Sequence, residues 1–203
     1  MERRTAFQRL VELVLARSSG IFEATEFARL CEISRPTVAN YLGVLEATRV
    51  AHVIRPYSTR RSTEIVAAPK VYGFDTGFVC YHRGWTGLRA DDLGLLWEHF
   101  VLNELLAALQ GEPLHYWRDK AGHEVDFVLA RRGRPPLAIE CKWSAADLSI
   151  ENLRAFRHRY PDGENVVVAQ DADRSVTRSL GGIRVTVEPL RGLIQRLSAK
   201  PGR

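Results

Sequence analysis

Two short runs decide the reading of this chain: Glu124-Val125-Asp126-Phe127-Val128-Leu129, and Leu137-Ala138-Ile139-Glu140-Cys141-Lys142-Trp143. Each is bounded by turn-forming residues, Asp119 to His123 before the first and Arg131 to Pro135 between the two, so both read as strands. Side chains of a strand alternate between faces. In the first run Val125, Phe127 and Leu129 should therefore point one way, and Glu124 and Asp126 the other. In the second run, Leu137, Ile139, Cys141 and Trp143 share one face, and Ala138, Glu140 and Lys142 share the opposite one. If the strands pair through the intervening turn, the Asp126 and Glu140 carboxylates come close enough to share one cation. Hard oxygen ligands of this kind suit magnesium or manganese, with water and a substrate phosphate in the remaining positions.

Upstream, a long helix is expected from about Asp91 to Gln110, closed by Gly111. Its stripe Leu95, Glu98, Leu102, Leu105, Leu109 has the spacing of a buried face, and one member is charged. A buried carboxylate needs a partner, so Glu98 is expected to turn toward the same cation. Lys142, on the face of Glu140, is placed to orient a water or to stabilise charge on a phosphate. Around this centre the reading adds strands at Leu114 to Arg118 and Asn165 to Ala169, and a helix at Ile150 to Tyr160. A strand at Ile183 to Glu188 and a helix at Leu190 to Leu197 should pack on that core. The expected order is αβββαβ. A lone Glu in a helix is usually solvated, and Asp126 with Glu140-x-Lys142 alone would be weak; the joint pattern carries the argument.

The N-terminal part reads differently. Helices are expected at Thr5 to Arg17, Ala24 to Cys31, and from Ser34, which caps a third helix with Pro36 in its first turn. Val50 to Ile54 and Glu64 to Ala67 should form a hairpin around the basic turn Arg55 to Arg61. Three helices and a hairpin describe a winged helix-turn-helix. Its third helix would expose Arg35, Thr37, Asn40 and Tyr41, and its wing Arg60 and Arg61, to bases or phosphates. The expected division is a winged helix-turn-helix domain at 1–70, a linker at 71–90, and an α/β (α+β) nuclease-like domain at 91–203.

Composition sets the bounds. With 203 residues, 45% hydrophobic and 26% charged, the chain reads as an ordinary folded protein. No long apolar run or signal-peptide pattern occurs, so a cytoplasmic, non-membrane protein is expected. Cys31, Cys80 and Cys141 form no CxxC pair, which argues against a disulfide framework or a structural zinc. The net charge is +5, and its distribution is uneven: residues 91–150 carry six basic and ten acidic side chains, whereas 151–203 carry ten and six. An acidic centre between basic flanks suits a cation site that meets phosphate.

Asp126 followed by Glu140-Cys141-Lys142 resembles the motif of the PD-(D/E)xK nuclease superfamily, with Glu98 in the place of its helix-borne acid. More narrowly, Trp97-Glu98-His99-Phe100-Val101-Leu102-Asn103-Glu104-Leu105, Tyr116-Trp117-Arg118, Pro69-Lys70-Val71-Tyr72 and Asp75-Thr76-Gly77 are similar to a domain-of-unknown-function family that usually follows an archaeal-type AAA ATPase module. The resemblance implies a restriction-endonuclease-like core after the winged helix. It also implies a metal-dependent nuclease site of Glu98, Asp126, Glu140 and Lys142 acting on DNA, with Glu98, Asp126 and Glu140 as ligands of Mg2+ or Mn2+. No G-x4-G-K-[ST] run occurs in the chain, so it is expected to be a stand-alone member, a remnant or a fragment. The alternative is a non-catalytic nucleic-acid- or protein-binding module that works with a separate AAA ATPase.

Overall fold

The computed structural model describes residues 2–59 and 68–199. Among them the chain is mixed α/β, with nine strands and seven α-helices in two compact units. The first unit takes Met1–Pro56 and Arg60–Arg89, and the second Tyr57–Thr59 and Ala90–Arg203.

The first unit runs α1 (Glu2–Ala16), β1 (Gly20–Ile21), α2 (Ala24–Cys31), α3 (Arg35–Ala47), β2 (Ala51–Pro56), β3 (Lys70–Gly73) and α4 (Thr76–His82). Glu32 stops α2 by turning left-handed, φ 57°. Ser34 then starts α3: its Oγ accepts the Thr37 N–H at 3.3 Å, and Pro36 sits in the first turn. Leu10, Val14, Phe27, Val38 and Leu45 bury the helix faces, with Ala51 and Val71 from the strands. Each such side chain withdrawn from water contributes about 1.5–3 kcal/mol.

One expectation changes here. The interval 71–90, read as a linker, instead supplies β3 and α4. β3 pairs antiparallel with both β1 and β2 (Gly20↔Val71, Val53↔Val71), and Asp75 caps α4 through the Gly77 and Phe78 N–H groups. The run Val71-Tyr72 is short and apolar, and it lacks the alternation that marks a strand in sequence; pairing on both edges is what makes it one. Glu64 to Ala67, expected as the second wing strand, lies outside the described residues.

The second unit runs α5 (Ala90–Leu109), β4 (Leu114–Arg118), β5 (Glu124–Leu129), β6 (Leu137–Lys142), α6 (Glu151–Arg159), β7 (Asn165–Ala169), β8 (Val176–Leu180), β9 (Ile183–Glu188) and α7 (Leu190–Ser198). Its strands lie in the order β4-β5-β6-β7-β9-β8. β4, β5 and β6 pair antiparallel, β6-β7 and β7-β9 are parallel, and β8 closes the edge antiparallel to β9. Leu153 and Phe156 of α6 pack on Val125, Val128, Ala138, Val167 and Val185 of the sheet. α5 packs on β6 and on α7, and α7 on β7. Tyr57 belongs with this unit because its ring packs on Phe156 and Tyr160. No helix among the described residues is long and apolar enough to cross a membrane.

β8 had no sequence expectation. Its run Val176-Thr177-Arg178-Ser179-Leu180 is largely exposed, and the hairpin to β9 turns on Gly181 and Gly182 at φ 54° and 85°. A Gly-Gly pair between two β-like runs is a two-residue hairpin signal.

Candidate metal and phosphodiester site

The β5-β6 ladder runs Leu129↔Leu137, Val128↔Ala138, Phe127↔Ile139. One step further would set Asp126 against Glu140. There the ladder is replaced: Oδ2 of Asp126 accepts the Cys141 N–H at 2.8 Å. Across the sheet, β4 pairs His115 with Val128 but Trp117 with Val125, so Tyr116 alone faces Asp126 and Phe127. That is a bulge at Asp126-Phe127, a device that bends a strand and re-aims a side chain. It corrects the expected strict alternation, since Val125 and Val128 now share one cluster under α6.

On β6 the alternation holds. Ala138 lies in the α6 cluster, and Glu140 is the register partner of Val167 in the same cluster, so Glu140 and Lys142 take the face that α6 covers. Glu140 is 1% exposed. Its Oε2 meets the Lys142 ammonium at 3.4 Å, and its Oε1 has no hydrogen-bond partner. Burial first, and then the Asp126 charge, push the Glu140 carboxyl well above its ordinary range; Lys142 and the Asn152 side chain pull the other way. Burial pulls Lys142 down, but Glu140 and Asp126 outweigh it and hold the ammonium above its usual value. Of the two, the rise at Glu140 governs, because its side chain is out of water and a quarter of the Lys142 side chain is not. The Cys141 thiol is raised well above its ordinary range by burial and by Asp126, Glu98 and Glu140, which makes it inert.

The structure therefore brings Asp126, Glu140 and Lys142 together. Glu98 is half-buried on α5 and bears on Cys141, whereas the groups that act on Glu140 are Asp126, Lys142 and Asn152. Glu140 lies on the α6 side of β6, and Glu98 on α5 acts on Cys141, the residue between Glu140 and Lys142. Among the described residues no three His, Cys, Asp or Glu side chains stand as a ready-made cage for a metal.

Asn152 was missed by sequence reasoning. It sits in the first turn of α6, accepts the Glu124 N–H at 3.3 Å, and acts on Glu140. Its signal was a polar amide in the first turn of the helix that follows Glu140-x-Lys142.

Two clefts, of 640 and 500 Å3, lie elsewhere, around the Arg131–Pro135 turn at the other end of β5. Their Arg131 is held by Glu112 at 2.6 Å, and Arg196 by Glu164 and Glu188.

On α3, Arg35 and Asn40 are exposed, and Thr37 is half-buried with its hydroxyl 2.8 Å from Ser34 Oγ. Tyr41 is not free for bases, because its ring packs edge-on against Phe7 at 5.0 Å. Arg60 and Arg61 lie outside the described residues.

Residues 93–188 match the family described as a domain of unknown function, DUF4143. Residues 1–89 match a second one, DUF8612. The boundary between the two matches falls where the second unit takes over at Ala90. Among curated proteins the chain is similar to the uncharacterized proteins Mb2031c of Mycobacterium bovis and Rv2008c of Mycobacterium tuberculosis. It is 30% identical to each over 186 residues, covering 81% of this chain. It spans only 41% of the length of each of these relatives.

Proposed function

We propose that the second unit is a divalent-metal-dependent phosphodiesterase of restriction-endonuclease-like, PD-(D/E)xK type that acts on DNA, and that the first unit is a winged helix-turn-helix. The observation that carries the reading is Glu140: a buried carboxylate with one oxygen unbonded, next to a second carboxylate and a lysine. An unbonded anionic oxygen costs several kcal/mol inside a protein unless a cation meets it. The donor set fits a hard cation, and Asp126 and Glu140 would hold Mg2+ or Mn2+ through oxygen, with Glu98 in support. When bound, the ion supplies Lewis-acid polarisation of a phosphoryl oxygen and an activated water. The protein's own part is to position. The Cys141 N–H fixes the Asp126 carboxylate, Asn152 and Lys142 flank Glu140, and the Lys142 ammonium offers positive charge to a phosphate as it gains charge.

The test is hydrolysis of labelled DNA with Mg2+, Mn2+ or EDTA, by wild type and by Asp126→Ala. Metal-dependent cleavage that falls at least 100-fold in the variant is expected. Cleavage that survives Asp126→Ala undiminished would sink the assignment.

A second reading has its own support. Asp126 Oδ2 is already engaged by the Cys141 N–H, and Glu140 Oε2 by the Lys142 ammonium. Acids already held by groups of the chain suit a binding module that recognises nucleic acid or protein, working with an ATPase on another chain. Binding of DNA with no cleavage in either metal would favour it.

A further inference from the structure

The row of the sheet that carries Glu140 continues across three more strands. Glu140 is the register partner of Val167 on β7, Val167 of Val187 on β9, and Val187 of Val176 on β8. Val167 is buried in the α6 cluster and Val187 packs against it, so the row runs along the face of the sheet that α6 covers. Three strand spacings separate Glu140 from Val176, about 14 Å. At the far end lies a cleft of 220 Å3, lined by Val176, Val187, Ala145, Leu148, Arg174 and Arg178. Arg178, two residues after Val176, shares its face, whereas Thr177 takes the opposite one and meets the Thr186 hydroxyl at 2.9 Å. Ala145 and Leu148 follow Lys142 by three and six residues, so one short segment joins the acid and lysine site to this cleft.

Arg174 and Arg178 are both exposed, and among the described residues neither guanidinium has an ion pair or a hydrogen bond. Asp173 also lines the cleft and offsets one of the two charges. The backbone under both arginines is fixed. Around Arg174, the Asp173 carbonyl accepts from Arg191 at 3.4 Å and the Ser175 hydroxyl donates to Glu188 at 3.3 Å. Arg178 is paired with Val185 in the β8-β9 ladder. An unpaired surface arginine is usually only solvated. These two stand at the rim of a cleft, on the face of the sheet that Glu140 and Lys142 occupy.

We propose that Arg174 and Arg178 grip backbone phosphates of the DNA taken by the Asp126-Glu140-Lys142 site, so that the DNA runs along the Glu140 to Val176 row toward β8. This rests on the phosphodiesterase reading for what happens at Glu140, but not for whether the arginines bind. The occupant follows from charge and reach. A guanidinium fork matches two oxygens of a phosphate. About 14 Å is the rise of about four nucleotides of a duplex strand, so a ligand that engages both Lys142 and Arg178 is an extended polyanion and not a single phosphate.

The experiment measures binding of the full chain to a labelled DNA duplex of about 20 base pairs, in EDTA so that nothing is cut, over a series of salt concentrations. The double variant Arg174→Ala/Arg178→Ala should bind about 4- to 25-fold more weakly than wild type, and the slope of log K against log salt should flatten by about 2, one for each lost phosphate contact. Arg174→Lys/Arg178→Lys, which keeps the charge, should recover the slope. Arg132→Ala/Arg134→Ala removes two exposed, unpaired arginines at the end of β6 opposite Lys142, and should leave both readings near wild type. Circular dichroism melting checks that each variant folds. A change under about twofold with an unaltered slope, an equal loss in the Arg132 and Arg134 variant, or no binding by wild type at low salt overturns the phosphate track. Metal-dependent cleavage alongside any such result would leave the phosphodiesterase reading standing. Binding that depends on Arg174 and Arg178 in a protein that cuts nothing in Mg2+ or Mn2+ would support the track and remove that reading.

Discussion

Arg157 and Glu140 are both buried charges of the second unit, and they are treated in opposite ways. Arg157, on α6, is completed by its surroundings: Nε donates to Asn165 Oδ1 at 2.6 Å, Nη2 to the Pro136 and Glu164 carbonyls at 3.0 and 2.6 Å, and Nη1 to the Tyr160 and Asp162 carbonyls. Burial pulls its pKa down to about 10, against the raising influence of Asp162, Tyr57 and Glu164, so it stays charged at neutral pH. Glu140 has one lysine at 3.4 Å, the Asn152 amide and a repelling carboxylate, and its Oε1 carries no hydrogen bond of good geometry. A charge whose bonding is finished by backbone carbonyls holds a fold together. One left unfinished is available for something that is not part of the chain.

The sharpest way to break this contrast is to remove the finished charge. Arg157→Met would strand the Pro136, Asp162 and Glu164 carbonyls and should cost about 3–5 kcal/mol. The measurement is denaturant unfolding followed by tryptophan fluorescence, and a loss below about 1 kcal/mol would show that the network is ornamental. Gly163 tests the same corner more gently. It sits at φ 117°, where a Cβ would stand 2.2 Å from the Pro136 oxygen and 2.9 Å from Arg157 Nη1. Gly163→Ala is expected to cost about 1–3 kcal/mol in the same assay.

Glu140→Gln should behave in the other direction. The amide keeps the shape and removes both the burial penalty of the charge and its repulsion from Asp126, so metal-free stability should stay within about 1 kcal/mol of wild type or rise. Wild type should gain about 1.4 kcal/mol from Mg2+ or Mn2+ at ten times Kd, and Glu140→Gln should lose that gain. Glu112→Gln, which touches only the surface pair with Arg131, should keep it. Thermal shift and calorimetry read both. Wild type unmoved by either ion would make the unfinished oxygen a relic, and would favour the binding module.

How much of this was legible beforehand depended on whether the signal was local. Ser34 and Pro36 announce α3, and the apolar stripe of α5 announces a buried helix; each is written within one turn or one element. The pairing of Asp126 with Glu140 followed from two strands and a short turn. Glu98 was harder, because which face of the sheet Glu140 takes is decided by the register of β6 with β7 and by α6, from a later part of the chain. The bulge at Asp126 is set by β4, and Asn152 matters only once α6 lies across β6. Likewise β3 is short and buried, with no alternation to see, and Tyr41 looks free until Phe7 is placed against it. Local chemistry fixed the elements, whereas long-range register decided which side chains meet.

The smallest effect is expected at Asp171, which links the finished and unfinished parts by holding the turn just after Trp143. Its Oδ2 accepts the Ser144 hydroxyl and its Oδ1 the Ala145 N–H, both at 2.7 Å. The Ser144 bond first, and then the Ala145 N–H, hold its carboxyl below the ordinary value, although the group is fully solvated. A carboxyl lowered in the folded state stabilises the protein above its unfolded pKa, about 3.9, and that contribution is lost as pH falls through the folded value. Asp171→Asn should therefore melt slightly below wild type at neutral pH, and the two curves should converge on acidification toward pH ~3. Identical melting at neutral pH, or a gap that persists in acid, would show that the charge on Asp171 does not hold this turn.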